Sequence, residues 1–294
     1  MKSGYVAVIG RANAGKSTLV NVMVGEKVAI VSPKPQTTRD RIMGVLTTES
    51  EQIAFIDTPG LYRADNMLNS VMQKTATDAV PDVDVILFVL DAHAGISDKD
   101  KTLINKFKNC GVPFVLALSK TDIMPETLLI DELKELKGDF DIVPVSARKN
   151  RNIKELLKVI LSHLPDGDKI FKEDIISDRS ERFMISEIMR EKLLLKFDKE
   201  IPHGVAIIIN EFKLRENKKV YDISLDIICE KPNHKAIIIG KQGAAIKEAS
   251  SFAREDMEKF LGKKVFLTTY VKVKEDWRNS ARLLKEYGYG EENV

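Results

Sequence analysis

The sequence predicts two domains: an α/β domain on a mostly parallel sheet over residues 1–170, then a smaller α+β domain over residues 171–294. Three observations carry that expectation. Short apolar runs alternate with amphipathic segments through the first 165 residues, which is the order of βαβ units. Turn residues Leu164-Pro165-Asp166-Gly167-Asp168 then break the rhythm, and the strands and helices beyond them are grouped differently. A chain of 294 residues also has room for about two cores.

The strands of the first part are Tyr5–Ile9, Ile53–Asp57, Val83–Asp91, Pro113–Ser119 and Ile142–Val145, apolar enough to be buried on both faces. Helical spacing of apolar residues marks Lys16–Val24, Asn66–Ala79, Lys99–Asn109, Glu126–Leu136 and Asn152–Leu164 between them. The second part reads as a long helix over Arg179–Phe197, strands over Val205–Lys213 and Val220–Glu230, and a helix over Gln242–Leu261. A strand over Lys264–Lys274 and a last helix over Trp277–Tyr287 complete it.

Composition narrows the function classes. With 44% hydrophobic and 31% charged residues the chain is an ordinary folded protein and not a disordered one. The longest apolar run, Val85 to Leu90, is far short of the roughly 20 residues a spanning helix needs. No secretory h-region follows Met1, and Cys110 and Cys229 are lone thiols, so a reduced, cytoplasmic compartment is expected. The four histidines show no metal-ligand spacing. Lysines crowd the stretch Lys231–Lys274, a surface suited to a polyanion or simply to water.

The chemistry begins where the first strand ends. Gly10-Arg11-Ala12-Asn13-Ala14-Gly15-Lys16-Ser17 matches G-x-x-x-x-G-K-[ST] between a strand and a helix, the context that pattern requires. Gly10 and Gly15 allow a tight turn, so that the N–H groups of Asn13, Ala14 and the first helical turn, with Thr18 behind them, face phosphate oxygens. Lys16 reaches the β- and γ-phosphates, and the Ser17 hydroxyl is a hard ligand for Mg²⁺. Asp57-Thr58-Pro59-Gly60 closes the next strand, where Asp57 can hold Mg²⁺ through water and the Gly60 N–H can meet a γ-phosphate. In the polar loop from Ser32 to Arg39, Thr38 is the preferred threonine to complete the metal's oxygen shell. Base selection falls to Ser119-Lys120-Thr121-Asp122 and Ser146-Ala147. The Asp122 carboxylate accepts from guanine N1–H and N2–H₂, which adenine does not offer, the Lys120 stem lies along the base, and the Ala147 N–H donates to O6.

This ordered set resembles the guanine-nucleotide-binding domain of the translation-factor-like GTPases, a P-loop NTPase fold of the Ras-like kind, over residues 1–165. The family pattern Asn-Lys-x-Asp is altered at Ser119, whose shorter side chain predicts a loss of about 1 kcal/mol in guanine affinity. Leu61 stands where Ras-like enzymes place a water-positioning glutamine. The likeness is therefore to the subgroup with a hydrophobic residue there, in which an asparagine at the position of Asn13 helps to bind K⁺. Such an ion would neutralise charge developing on the transferred phosphoryl group.

In the second part Gly240-Lys241-Gln242-Gly243 lies between an apolar segment and an amphipathic helix, with Lys247 following. The tetrapeptide means little alone. In its context it resembles the glycine turn of KH modules, which clamps the backbone of about four nucleotides. Ile237, Ile238 and Ile246 fit either the base groove or the core, and Trp277, Tyr287 and Tyr289 fit core packing better than base stacking. The element order is that of the type II KH fold, and the whole chain is similar to a bacterial GTPase family that joins an N-terminal G domain to a C-terminal KH domain. That resemblance implies a GTPase using GTP/GDP and Mg²⁺, with nucleotide-controlled binding of the 3′ region of 16S rRNA in 30S subunit assembly. It also implies a monomer and peripheral association with the inner membrane surface. Two other classes fit parts of the sequence: an RNA-binding adaptor with a degenerate nucleotide site, of which Ser119 and Leu61 would be symptoms, and a small-molecule phosphotransferase, for which acid or base residues are missing.

Overall fold

The structure is a computed structural model and describes residues 1–60, 65–78, 82–123, 140–216 and 219–289. The described residues divide into two compact units. Those of one fall within Met1–Val31, Thr38–Arg63 and Met72–Asp178; those of the other fall within Ser32–Thr37, Ala64–Val71 and Arg179–Val294.

The first unit is a six-stranded sheet in the order β2-β3-β1-β4-β5-β6. Its strands are β1 (Lys2–Ile9), β2 (Ile42–Thr47), β3 (Glu51–Asp57), β4 (Val85–Asp91), β5 (Phe114–Ser119) and β6 (Asp141–Pro144). All neighbours are parallel except β2 and β3, which pair antiparallel with Val45 opposite Ala54. Helices α1 (Lys16–Val24), α3 (Asp98–Lys108) and α4 (Ile153–His163) pack on the sheet, and the division between the units falls within α2 (Met67–Asp78), after Val71. The central strand β1 explains the apolar pattern. Val6 and Val8 are buried in one cluster with Leu19, Val20, Leu156 and Ile160, while Ala7 and Ile9 are buried in another with Ile104 and Phe107. A strand covered on both faces needs apolar residues at consecutive positions, as found. The α3 start is fixed by a capping box, in which Ser97 accepts from Asp100 N–H and the Asp100 carboxylate accepts from Ser97 N–H.

Strand β2 is absent from the sequence expectation. Ile42–Thr47 follows a polar loop directly and has no helix between it and β3, so it carries no βαβ signal. Its free edge is covered by the segment that leaves the first unit. Val45 N–H donates to Ile176 O at 2.8 Å, and Met43 N–H donates to Asp178 Oδ1 at 3.0 Å. Gln52, fully buried, accepts from the N–H groups of Ile170 and Phe171 and donates to Phe171 O. Residues 171–178, counted with the second domain on sequence, thus lie on the first unit's sheet. The expected helix Glu126–Leu136 lies outside the described residues.

The second unit runs α5 (Glu181–Lys196), β7 (Ala206–Leu214), β8 (Val220–Cys229), α6 (Pro232–Ile239), α7 (Ala244–Leu261), β9 (Lys264–Val273) and α8 (Ala281–Glu286). Its sheet has the order β7-β8-β9, antiparallel between β7 and β8 and parallel between β8 and β9. The core joins Ile185, Met189 and Leu193 of α5 to Leu225 and Ile227 of β8 and to Ala249, Ala253 and Met257 of α7. In sequence α6 reads only as an apolar segment, because eight residues give too short a window for a 3.6 period. The expected helix over Trp277–Tyr287 is broken at Ser280, whose extended backbone and side-chain cap on Leu283 N–H start α8 afresh. Trp277 is fully buried, donates from Nε1 to Gly204 O at 3.0 Å, and packs against Tyr287 and Tyr289, so these rings belong to the core. Residues Ser32–Thr37 are held within this unit. Buried Arg190, paired with Glu187, donates to the carbonyls of Gln36 and Thr37.

Candidate functional site

The C-terminal ends of β1, β3, β5 and β6 carry the first site, as parallel sheets commonly arrange. Gly10 leaves β1 at φ +151°, and a Cβ there would stand 2.3 Å from Val89 O. The β4 backbone is that close, so only glycine fits. Asn13 and Gly15 both have positive φ, and α1 starts at Lys16, so the loop turns sharply into a helix N-terminus. Gly60 closes the opposite side: its Cβ would meet Ala12 Cα at 2.6 Å and Ala12 N at 2.7 Å.

Three oxygens converge at the cradle. Ser17 Oγ donates to Asp57 Oδ2 at 2.6 Å and lies 2.8 Å from Thr38 Oγ1, and Thr38 Oγ1 donates to the same Oδ2 at 3.2 Å. The other carboxylate oxygen, Asp57 Oδ1, is buried with no hydrogen-bond partner. Two hydroxyls and a carboxylate are hard ligands of the type Mg²⁺ takes, and the orphaned oxygen is one a metal-bound water would satisfy. Among the described residues no group of three or more His, Cys, Asp or Glu side chains could hold a metal ion, so a softer metal has no comparable site there.

Burial controls the two charges beside that cluster. Desolvation lowers the Lys16 ammonium to about 8, with Asp57 pulling it back up. The same cause raises the Asp57 carboxyl above its ordinary value, opposed by Lys16, Ser17 and Thr38. Lys16 Nζ donates to Gly10 O at 3.2 Å and Arg11 O at 3.0 Å, holding the ammonium over the loop.

The residues expected to read the base stand at the ends of β5 and β6. Ser119 Oγ lies 2.6 Å from Ala14 O and 3.0 Å from Leu90 O, and donates to these carbonyls. The serine therefore ties the phosphate loop to β4 and β5 despite its short reach. Lys120, at φ +60°, pairs with Asp91 at 2.7 Å. Asp122 is exposed, and Ser146 Oγ donates to its Oδ1 at 2.7 Å, which holds the carboxyl below its usual range. Ala147 follows Ser146, half-buried against the core.

In the second unit the glycine turn lies between α6 and α7. Gly240 has φ +73°, and a Cβ there would stand 2.6 Å from Ala245 Cβ, whereas Gly243, at φ +78°, has nothing within 4 Å. Lys241, Gln242 and Lys247 are exposed on or just past it. Ile238 is buried, Ile246 packs at the core's margin, and Ile237 is half exposed, so the three isoleucines do not share one role.

Residues 5–120 match the family model described as 50S ribosome-binding GTPase, and residues 200–278 match the KH domain model. The GTPase Era of Clostridium kluyveri is 45% identical over 98% of this chain and 99% of its own length. That of Alkaliphilus metalliredigens is 46% identical over the same shares. The chain belongs to the GTPase Era family. A crystal structure of Era in complex with MgGDPNP and nucleotides 1506-1542 of 16S ribosomal RNA is 39% identical, with a TM-score of 0.94 over 99% of this chain and 100% of that one. Aquifex aeolicus Era bound to GDP.AlF4-, as a point variant, matches with the same identity, TM-score and shares.

As an Era-family member the chain is a GTPase with a KH domain, which bears out the family and fold expected from sequence. Lys16, Ser17, Thr38 and Asp57 are brought together at the cradle; Ser119, Lys120, Asp122 and Ser146 form a second group at the neighbouring strand ends. Leu61 lies outside the described residues. Thr18 is half-buried in the first turn of α1. Sequence reasoning missed Asp91, which fixes Lys120, and Thr58, whose Oγ1 donates to Val8 O at 2.9 Å. A carboxylate ending an apolar strand was the signal for Asp91.

Proposed function

We propose that this chain is a GTP-hydrolysing switch that binds the 3′ region of 16S rRNA during assembly of the small ribosomal subunit, working in the cytoplasm as a monomer. The observation that carries the nucleotide half is the Ser17–Thr38–Asp57 oxygen cluster with its orphaned Oδ1 beside Lys16. Mg²⁺ held there would neutralise charge on the β- and γ-phosphates. The cradle N–H groups and Lys16 bind the phosphates, Thr38 and Gly60 stand where a γ-phosphate would be sensed, and Asp122 selects guanine. Asn13, exposed at φ +63°, is the proposed protein ligand for K⁺. The glycine turn with Lys241, Gln242 and Lys247 supports the RNA half, together with the likeness to the RNA-bound Era structure.

Titration with a labelled GTP analogue tests the first half. Wild type is expected to bind guanine and not xanthine nucleotides, and Asp122→Asn to reverse that preference; failure of wild type to bind either class at micromolar concentration overturns the reading. For the second half, Lys241→Glu with Gly243→Asp changes two surface positions. It should abolish binding to an RNA of the 16S 3′ sequence while GTP hydrolysis continues. Retained RNA affinity would place the clamp elsewhere. Hydrolysis is expected to run faster in KCl than in NaCl for wild type and equally in both for Asn13→Ala.

A further inference from the structure

A recess in the KH unit lies at the far end of α6 from the glycine turn, with a volume of about 640 Å³. Its inner wall is formed by buried Glu230 and His234 and by half-buried Arg278. Glu230 accepts from Arg278 Nη2 at 2.6 Å, but Arg278 Nε is buried with no hydrogen-bond partner. His234 is 7% exposed, and its Nδ1 is likewise buried and unpartnered. Unsatisfied buried polar atoms cost stability and call for an explanation. The outer wall is polar too: Glu200, Glu275 and Asp276 are exposed carboxylates, and Lys231, the residue preceding α6, is the exposed cation among them.

The chemistry of this wall restricts its occupant. Arg Nε is only a donor, so the ligand must present an acceptor, which a bare cation or a polyamine lacks. Carboxylates only accept, so the ligand must also present donors. Four carboxylates against Lys231 and Arg278 disfavour a phosphate inside. A neutral group with a donor beside an acceptor meets every condition, and a nucleobase carrying an exocyclic amine has that edge: Glu or Asp accepts from the amine while Arg donates to a ring acceptor. Position agrees with this. Eight residues of α6 span about 12 Å, within reach of a strand whose backbone is clamped over about four nucleotides at the glycine turn.

We propose that this recess reads one unstacked, amine-bearing base, cytosine in preference to uracil, of the RNA strand held at the glycine turn. The inference rests on the reading of the second unit as an RNA clamp. Binding of the full chain to fluorescein-labelled decamers of cytidine and of uridine tests it, since the two differ in the base edge, an amine beside a ring acceptor against a carbonyl beside a ring N–H. Wild type should bind the cytidine decamer about tenfold more tightly, the discrimination of a single well-made base contact. Two variants should bring the ratio to within about twofold: His234→Leu, which removes the buried imidazole, and Glu275→Gln with Asp276→Asn, which changes only exposed groups and keeps a residue tolerant of the left-handed backbone at 276 (φ +49°). Should His234→Leu fail to fold, the exposed pair decides. Equal binding of both decamers by wild type, or an unchanged preference in the exposed-pair variant, overturns the pocket while leaving the clamp in place. If wild type binds neither decamer nor the 16S 3′ RNA, the clamp and the pocket fall together.

Discussion

At the scale of single residues, the proposed nucleotide site is a problem of buried charge. Lys16 is held near 8 because its ammonium has left water without a full set of anionic partners. Between about pH 8 and 10.5 the unfolded chain binds more protons at this lysine than the folded one, so the folded state gains stability as pH rises through that window. Phosphates reverse the environment by supplying the missing negative charge, and the lysine must then take up a proton. Calorimetry of GTP binding near pH 9, in buffers of different ionisation heat, should show uptake of about one proton by wild type and far less by Lys16→Met. Equal uptake by both would refute the assignment. Ser119 offers a second check. Its hydroxyl serves Ala14 O and Leu90 O, so Ser119→Ala should cost about 1 kcal/mol of GTP affinity, roughly fivefold, read by the same titration. The loss anticipated from serine in the asparagine position is thus set against a contact that this serine still makes.

At the scale of elements, what was legible in sequence is what periodicity and fixed spacing encode. Strands β1, β4 and β5 declared themselves because burial on both faces demands unbroken apolar runs, and α1 because the phosphate loop must end in a helix N-terminus. Thr38, the preferred threonine of the polar loop, has its Oγ1 2.8 Å from Ser17 Oγ. The missed features have no such code. Strand β2 owes its position to pairing with β3 on one side and to the segment ending at Asp178 on the other, contacts between residues up to 135 apart in the chain. Gln52 shows the cost of that closure: a fully buried amide is kept because three of its hydrogen bonds satisfy the backbone of Ile170 and Phe171. Gln52→Leu keeps the volume and removes all of them. Denaturant unfolding should report a loss of about 2 kcal/mol, with faster hydrogen exchange at the amides of 170 and 171 than at those of β1. Unchanged exchange at those two amides would mean the edge is held by its apolar contacts alone.

At the scale of the whole molecule, the two units are built on separate hydrophobic cores, one around β1 and one around α5, β8 and α7. Among the described residues, the cluster around β1 and the cluster around α5, β8 and α7 share no residue, so each unit has a buried core of its own to fold around. Ligands that recognise one unit should then stabilise that unit by mass action. Saturation with a GTP analogue and Mg²⁺ at about a hundred times its Kd contributes about 2.7 kcal/mol, which corresponds to a rise of roughly 5–10 °C in the transition of a domain of this size. Scanning calorimetry is expected to resolve two transitions, one moved by nucleotide and the other by RNA. Leu193 is fully buried in the second core, and Leu193→Ala leaves a cavity worth about 3 kcal/mol. It should lower only the RNA-sensitive transition, with the nucleotide-sensitive one unmoved. A single transition displaced equally by Leu193→Ala, nucleotide and RNA would show that the chain unfolds as one cooperative body, and that two cores do not make two folding units.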